Sequence, residues 1–280
     1  MRAIKDHALA HLWADKPAIM GVVNVTPDSF SDGGQFFNPE RAIEHGLRLL
    51  EEGADILDIG GESTRPGAQS VDLEEEIDRV VPVIEGLAKS ARYISIDTRH
   101  AATMRAALKA GANIINDISA LEDDIESIAV AGAAKVPVFL MHKQGTPQNM
   151  QDNPRYNNVV EDIFKYLQQR INDCETHRIA HTMVVADPGI GFGKNTEDNL
   201  AMLGNIKRFH DLGVPVMIGV SRKSFIAKIS KNELPQDRIP GSLSAALWCL
   251  SQDVQFYRVH DVAATRQAFR IYESIASTAS

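Results

Sequence analysis

The sequence predicts an α/β fold of the (β/α)8 barrel class in a single domain, and three observations carry that prediction. Eight short Val/Ile-rich runs alternate with polar, Gly-rich loops and segments of helical periodicity. The runs are continuously apolar rather than alternating, as strands covered on both faces are. The chain has 280 residues, near the roughly 250 of a TIM barrel. A doubly wound open sheet is the structural rival, but no Gly-x-Gly-x-x-Gly fingerprint follows the first run.

Residues 1–17 read as an N-terminal extension packed on the barrel, and residues 18–280 as the barrel domain. The first strand is Ala18 to Val25. Asn38-Pro39 then supplies an N-cap and a proline at the first helical position. Ile43, Leu47 and Leu50 lie on one helical face, and Gly53 stops the helix. Asp55 to Ile59 is the second strand. Asp72 with Glu75 resembles a capping box, opening a helix with Ile77, Val80, Val81, Ile84 and Leu87 on one face and Pro82 placed to kink it. Tyr93 to Asp97, Asn113 to Asn116 and Val136 to Met141 are the next three strands; only a short helix, Ala101 to Ala110, fits between the third and fourth. Thr182 to Asp187, Val214 to Val220 and Gln255 to His260 complete the set. Helices are expected at Asn158 to Ala180, Thr196 to Leu212, Gly241 to Leu250 and Val262 to Ala276.

Composition narrows the function. With 44% hydrophobic and 24% charged residues the chain is globular rather than disordered. Two cysteines, Cys174 and Cys249, exclude a disulfide framework or a Cys-rich zinc cluster. A net charge of −8 argues against nucleic-acid binding, while local basic pockets for phosphate stay open. No run has the length of a membrane span, and the first residues lack the apolar core of a signal peptide, so no membrane association and a cytoplasmic location are expected.

In such a barrel, function sits at the carboxyl ends of the strands. Those ends carry Asn24, Glu62 to Arg65, Asp97, Asn116, His142, Asp187, Ser221 to Lys223, and Arg258 with His260. Asp and Asn also cap helices and form turns, but polar groups at every strand end read as one site. Other motifs fail. Gly189 to Asn195 looks like a phosphate loop but lacks the Walker spacing and its Ser/Thr. His177 and His181 are four apart without a His-Glu-x-x-His pattern and read as surface residues. Cys249 reads as core, and Asp15-Lys16 and Glu74 to Glu76 as solvated faces.

Asn24-Val-Thr-Pro-Asp-Ser-Phe-Ser-Asp-Gly-Gly34 and Gly60-Gly-Glu-Ser-Thr-Arg-Pro-Gly67 resemble the two signature loops of the dihydropteroate synthase family. Ile96-Asp-Thr98, Ile115-Asn-Asp117, Leu140-Met-His142, Asp187 to Lys194, Ser221 to Ser224 and Arg258-Val-His260 also match, in family order, so the resemblance runs from about Ile19 to Asp261. It implies a magnesium-assisted transferase of folate biosynthesis. That reaction joins 6-hydroxymethyl-7,8-dihydropterin diphosphate to 4-aminobenzoate by dissociative displacement, and sulfonamides inhibit it. In that reading Asp187 accepts the paired donors of the pterin edge, with Asn116, Asp97 and Lys223 completing the pterin site. Asn24 binds the diphosphate or its Mg2+, Arg258 and His260 close a cationic ring around it, and Arg65 reaches the same anion; Asn24 is the expected Mg2+ contact. Asp32, Arg65 and Lys223 are the expected catalytic residues, Asp32 stabilising the pterin cation or orienting the amine. Phe30, Thr64, Pro66, Phe192 and Ser224 are expected to hold 4-aminobenzoate, Ser224 at a helix N-terminus. The glycines of the two loops imply mobile lids, and the family implies a homodimer. Two rivals are a corrinoid-dependent methyl transferase of the same pterin-binding fold, which needs neither Thr64-Arg65 nor the anion ring, and a non-catalytic pterin or phosphate binder.

Overall fold

A computed structural model describes residues 2–26, 38–63, 68, 71–146, 148–150, 152 and 154–278. The eight strands are β1 (Ala18–Asn24), β2 (Ile56–Gly60), β3 (Ile94–Asp97), β4 (Ile114–Asp117), β5 (Val138–Met141), β6 (Val184–Asp187), β7 (Met217–Ile218) and β8 (Phe256–Val259). They pair in parallel in the order β6-β5-β4-β3-β2-β1-β8-β7. A parallel bridge between Ala186 and Val216 joins the two remaining edges and closes the barrel. The expected (β/α)8 class is therefore the observed one.

Helices α1 (Pro39–Glu51), α2 (Leu73–Leu87), α3 (Ala101–Ala110), α4 (Ser127–Ala134), α5 (Val159–Thr176), α6 (Thr196–Gly204), α7 (Ser224–Ile229), α8 (Ile239–Leu250) and α9 (Val262–Ala276) surround the barrel. Ten residues of α3 suffice to cross from β3 to β4. Asn38 caps α1 by accepting the Arg41 N–H. The capping box expected at Asp72 and Glu75 does not form: the Asp72 side chain makes no cap bond, and Glu75 instead pairs with Arg79 one turn on. A capping box does open α6, where Asn195 and Asp198 satisfy each other's backbone N–H groups. α2 runs unbroken through Pro82, which lies on the exposed face, where water can serve the Asp78 carbonyl left without its N–H partner.

Two helix faces are rotated from expectation. α1 buries Ala42, Gly46 and Leu49, leaving Ile43, Leu47 and Leu50 half-buried. Gly46 lies so close to α2 that a Cβ there would sit 2.8 Å from a Leu87 methyl, so small residues, not the largest, mark the contact. α2 buries Val83 in place of Val81, together with Glu76 and Arg79. Glu74 is exposed as expected. Glu76, expected on the same solvated face, is almost fully buried and accepts hydrogen bonds from Thr98 (2.7 Å), Thr103 (2.7 Å) and His100 (2.8 Å).

Two apolar cores result. The larger fills the space between sheet and helices. The smaller fills the lower barrel interior with Met20, Ile56, Ile114, Phe139, Val185, Met217 and Phe256, closed from below by Leu9, Leu12 and Trp13. Trp13 meets Phe256 edge-on at 5.0 Å, and Phe256 meets Phe139 edge-on at 5.2 Å. His7 fixes this plug: its Nδ1 accepts the Leu9 N–H at 3.1 Å, and its Nε2–H donates to the Val184 carbonyl at 3.2 Å.

Candidate active site

Side chains alternate along a strand, so every second residue of each strand points into the barrel. Two residues above the apolar floor that parity delivers Asp58 after Ile56, Asn116 after Ile114, Asp187 after Val185 and Arg258 after Phe256. Register places Asp97 beside Gly60 and Asn116 beside Asp97. The upper interior is therefore a polar layer resting on an apolar one.

The layer is internally bonded. Arg258 donates through Nε to Asp58 Oδ2 and through Nη2 to Asp97 Oδ2, both at 2.6 Å. Asn116 Nδ2 donates to both Asp58 oxygens, at 3.3 and 3.1 Å. The Gly189 N–H donates to Asp187 Oδ1 at 2.7 Å. Burial pushes the Asp187 carboxyl up to about 6. It pushes Asp97 up as well, with Arg258 pulling the other way. Burial works against the Arg258 cation, but Asp58 and Asp97 more than offset it and hold its pKa above the ordinary arginine value.

Lys223 reaches the same pocket from the end of β7, its Nζ 4.0 Å over the centre of the Phe192 ring. Burial lowers it to about 8. The Ser221-Arg222-Lys223 segment divides its labour. Arg222 adopts a left-handed φ of 59° and turns outward to make a two-point pair with Asp261 at 2.9 and 2.6 Å. That turn aims Lys223 inward. Ser221 Oγ accepts the His260 backbone N–H at 3.2 Å and lies 3.0 Å from His260 Nδ1. With the hydroxyl proton given to Nδ1, His260 carries its own proton on Nε2. Burial and the nearby Arg258 push its pKa down to about 3. His260 is thus held as a neutral donor in this structure, where the positive charge comes from Arg258 and Lys223.

The Gly-rich segment after β6 is a wall of this pocket rather than a phosphate cradle. Lys194 is buried beneath it, donating to the carbonyls of Gly189 (2.8 Å) and Phe192 (3.0 Å) and to His142 Nδ1 (3.0 Å). Burial lowers Lys194 to about 7 and His142 to about 2. Gly189 has a φ of 69°, and a Cβ there would lie 1.9 Å from the His142 carbonyl oxygen. His142 therefore supports this wall and is not part of the polar layer.

On the rim, Glu62 takes two hydrogen bonds from Arg99 (3.1 and 3.2 Å) and one from the Val71 N–H (3.3 Å). Asp117 accepts from Ser119 and Leu121 and shapes the turn after β4. Asn24, Asp97, Asn116, Asp187, Phe192, Lys223, Arg258 and His260 thus all stand at the strand ends, and Ser224 is exposed as the first residue of α7. Phe30, Asp32, Thr64, Arg65 and Pro66 lie outside the described residues. His177 is exposed and donates from its ring to the Asp173 carbonyl at 2.8 Å; Cys174 and Cys249 are buried thiols. Sequence reasoning missed Asp58 and set aside Lys194. The signal for Asp58 was present: a carboxylate inside a strand covered on both faces must have a buried partner.

A family described as pterin binding enzyme matches residues 20–260. The dihydropteroate synthase of Haemophilus influenzae is 44% identical over 262 residues, covering 93% of this chain and 94% of that one. A structure of Xanthomonas albilineans dihydropteroate synthase with 4-aminobenzoic acid is 47% identical, with a TM-score of 0.88 and 94% of each chain covered. A Yersinia pestis dihydropteroate synthase in complex with a sulfonamide drug is 43% identical with a TM-score of 0.88, covering 94% of this chain and 95% of that one.

Proposed function

This chain belongs to the pterin-binding enzyme family, and from that premise we propose that it is a transferase of folate biosynthesis. It joins 6-hydroxymethyl-7,8-dihydropterin diphosphate to 4-aminobenzoate and releases 7,8-dihydropteroate and pyrophosphate. The observation that carries the reading is the convergence of Asp97, Asn116 and Asp187, from three strands, in one buried layer beside Lys223. A pterin edge presents a 2-amino group and a ring N–H side by side, and a buried carboxylate such as Asp187 accepts both. Lys223 faces the ring carbonyl, its Nζ over the Phe192 ring; Phe192 and the stem of Lys223 are assigned to the 4-aminobenzoate ring, together with Phe30 and Pro66. Thr64 and Ser224 serve its end groups.

The C–O bond to the diphosphate breaks first, and the conjugated pterin spreads the positive charge. The neutral aniline nitrogen then attacks the exocyclic carbon, and the resulting acidic ammonium loses one N–H proton to water, so no strong general base is required. Asp32 steadies the cation or orients the amine. Arg258, Arg65 and the Nε2–H of His260 meet the charge growing on the departing diphosphate. Asn24, at the end of β1, offers an amide oxygen to Mg2+. The ion would take its other oxygens from diphosphate and water, as Mg2+ commonly does. When bound, the ion neutralises charge on the leaving group.

The enzyme works as a homodimer in the cytoplasm. Ile271 and Ile275, one turn apart on α9, are exposed, an apolar face of the kind that subunits cover. Its two buried free thiols suit a reducing compartment. Among the described residues no helix is long and apolar enough to cross a membrane. Incubation with both substrates, with and without Mg2+, tests the reaction. Dihydropteroate and pyrophosphate should appear together and efficiently only with the ion; tight binding of the pterin diphosphate without product would leave a binding protein instead. Sulfonamides should compete with 4-aminobenzoate, and sedimentation should give twice the chain mass.

A further inference from the structure

Asp58 touches no open space: its carboxylate is wholly buried and spends its acceptors on Asn116 Nδ2 and Arg258 Nε. That arrangement decides which way the Asn116 amide faces. A carboxylate only accepts, so the nitrogen of Asn116 must point at Asp58; the reverse placement would set oxygen against oxygen. Asp58 and Asn116 each stand one inward position above the apolar floor, above Ile56 and Ile114, so their contact runs sideways within one layer. The amide nitrogen therefore faces Asp58, and the amide oxygen, which takes no hydrogen bond yet is not a buried orphan among the described residues, borders the open mouth. Asp97 gives one oxygen to Arg258 and Asp187 gives one to Gly189, which leaves each a second oxygen. The set facing the mouth is made of acceptors.

We propose that Asp58 is a positioning residue that sets the hydrogen-bond polarity of the pocket floor. By turning the Asn116 oxygen toward the ligand, it makes the pocket select rings that offer N–H groups over isosteres that offer carbonyls. This rests on the pterin reading of the site and names what enforces its choice of ring.

The Asp58→Asn variant tests it. An amide has one acceptor, and the charged guanidinium of Arg258 takes it. The nitrogen of the introduced amide then faces Asn116, which must turn its own oxygen toward position 58 and its nitrogen toward the mouth. The double variant Asp58→Asn/Asn116→Asp restores an oxygen on the mouth side. There the carboxylate at position 116 accepts from the amide at position 58 with one oxygen and keeps the other for the ligand. Binding of 6-hydroxymethylpterin and of 6-hydroxymethyllumazine, which carries a 2-oxo in place of the 2-amino group, is measured calorimetrically on each protein. The wild-type preference for the pterin should fall at least tenfold in Asp58→Asn and return to within threefold of wild type in the double variant. A preference unchanged in Asp58→Asn, or no better in the double variant, overturns the proposal. Should the variants not fold, the wild type decides. In the wild type bound to 15N-labelled 6-hydroxymethylpterin, a ligand N–H should show a through-hydrogen-bond coupling to the Asn116 side-chain carbonyl carbon, and a coupling to the Asn116 side-chain nitrogen instead overturns the proposal. A wild type that binds neither ring sinks the pterin reading itself, whereas pterin binding with an unaltered preference in the variants sinks only the role of Asp58.

Discussion

The floor and the mouth of this barrel are built by the same strands yet differ in nearly every physical respect. β8 places Phe256 in the apolar floor and Arg258, two residues on, in a two-carboxylate pair. β2 does the same with Ile56 and Asp58, and β6 with Val185 and Asp187. A rise of about 6.6 Å along a strand separates a dry apolar layer from a layer of buried charge. The difference teaches where stability and function reside. Edge-on aromatic contacts and the Leu9–Trp13 plug close the floor, and its buried histidine, His7, is satisfied by the Leu9 N–H and the Val184 carbonyl. The mouth concentrates charges whose desolvation is costly, and the floor offsets that cost from below.

The largest effect expected from breaking this division is at the mouth. Asp187→Ala or Lys223→Ala should lower kcat/KM for the pterin substrate by about 10³-fold or more, the scale of losing a charged contact in a dry site. The melting temperature should stay close to wild type, and near-normal turnover would undo the assignment. At the floor, Phe139→Ala or Phe256→Ala should cost about 3–5 kcal/mol in urea titration, while the protein that remains folded keeps KM values near wild type. A floor variant with intact stability but raised KM would erase the distinction.

Lys194 sits between the two regimes, buried like the floor but serving the mouth. Lys194→Met leaves three acceptors without their donor, at roughly 1–3 kcal/mol for a buried group. It should lower stability and raise the KM for 4-aminobenzoate together, since Phe192 loses its tether. The pH profile is a gentler probe. Asp187 must be ionised to accept from the pterin, so affinity should fall as pH drops below about 6. Lys223 must be protonated to donate, so affinity should fall again as pH rises past about 8. Each limb approaches tenfold per pH unit. Lys223→Arg should move the alkaline limb out of range, and an unmoved limb would assign it to another group. The smallest effect belongs to the outside of the barrel: Ile125→Ser, at a side chain 91% exposed, should change stability by less than about 0.5 kcal/mol.

The barrel class, the strand order and most of the pocket's side chains could be read from the sequence because each rests on local pattern. Continuous apolar runs mark strands buried on both faces, and a polar residue just past such a run lies at the mouth whatever the rest of the chain does. Asn24, Asp97, Asn116, Asp187 and Lys223 needed no more than that. Even Pro82 was visible, although its tolerance depended on which face of α2 it took.

Tertiary structure alone decided the rest. Glu76 looks like one of three solvated acids until Thr98, Thr103 and His100, from the other side of the β3 turn, close over it. His260 is a neutral donor because burial, with Arg258 nearby, pushes its pKa down, and Ser221, 39 residues away, sets its tautomer by feeding Nδ1. Asp58 is an ordinary strand residue until Arg258, 200 residues on, reaches it. The physical reason is common to all three. Periodicity reports whether a side chain faces inward, but the state of a charge depends on which partners share its low-dielectric surroundings, and barrel closure brings those partners together from distant parts of the chain.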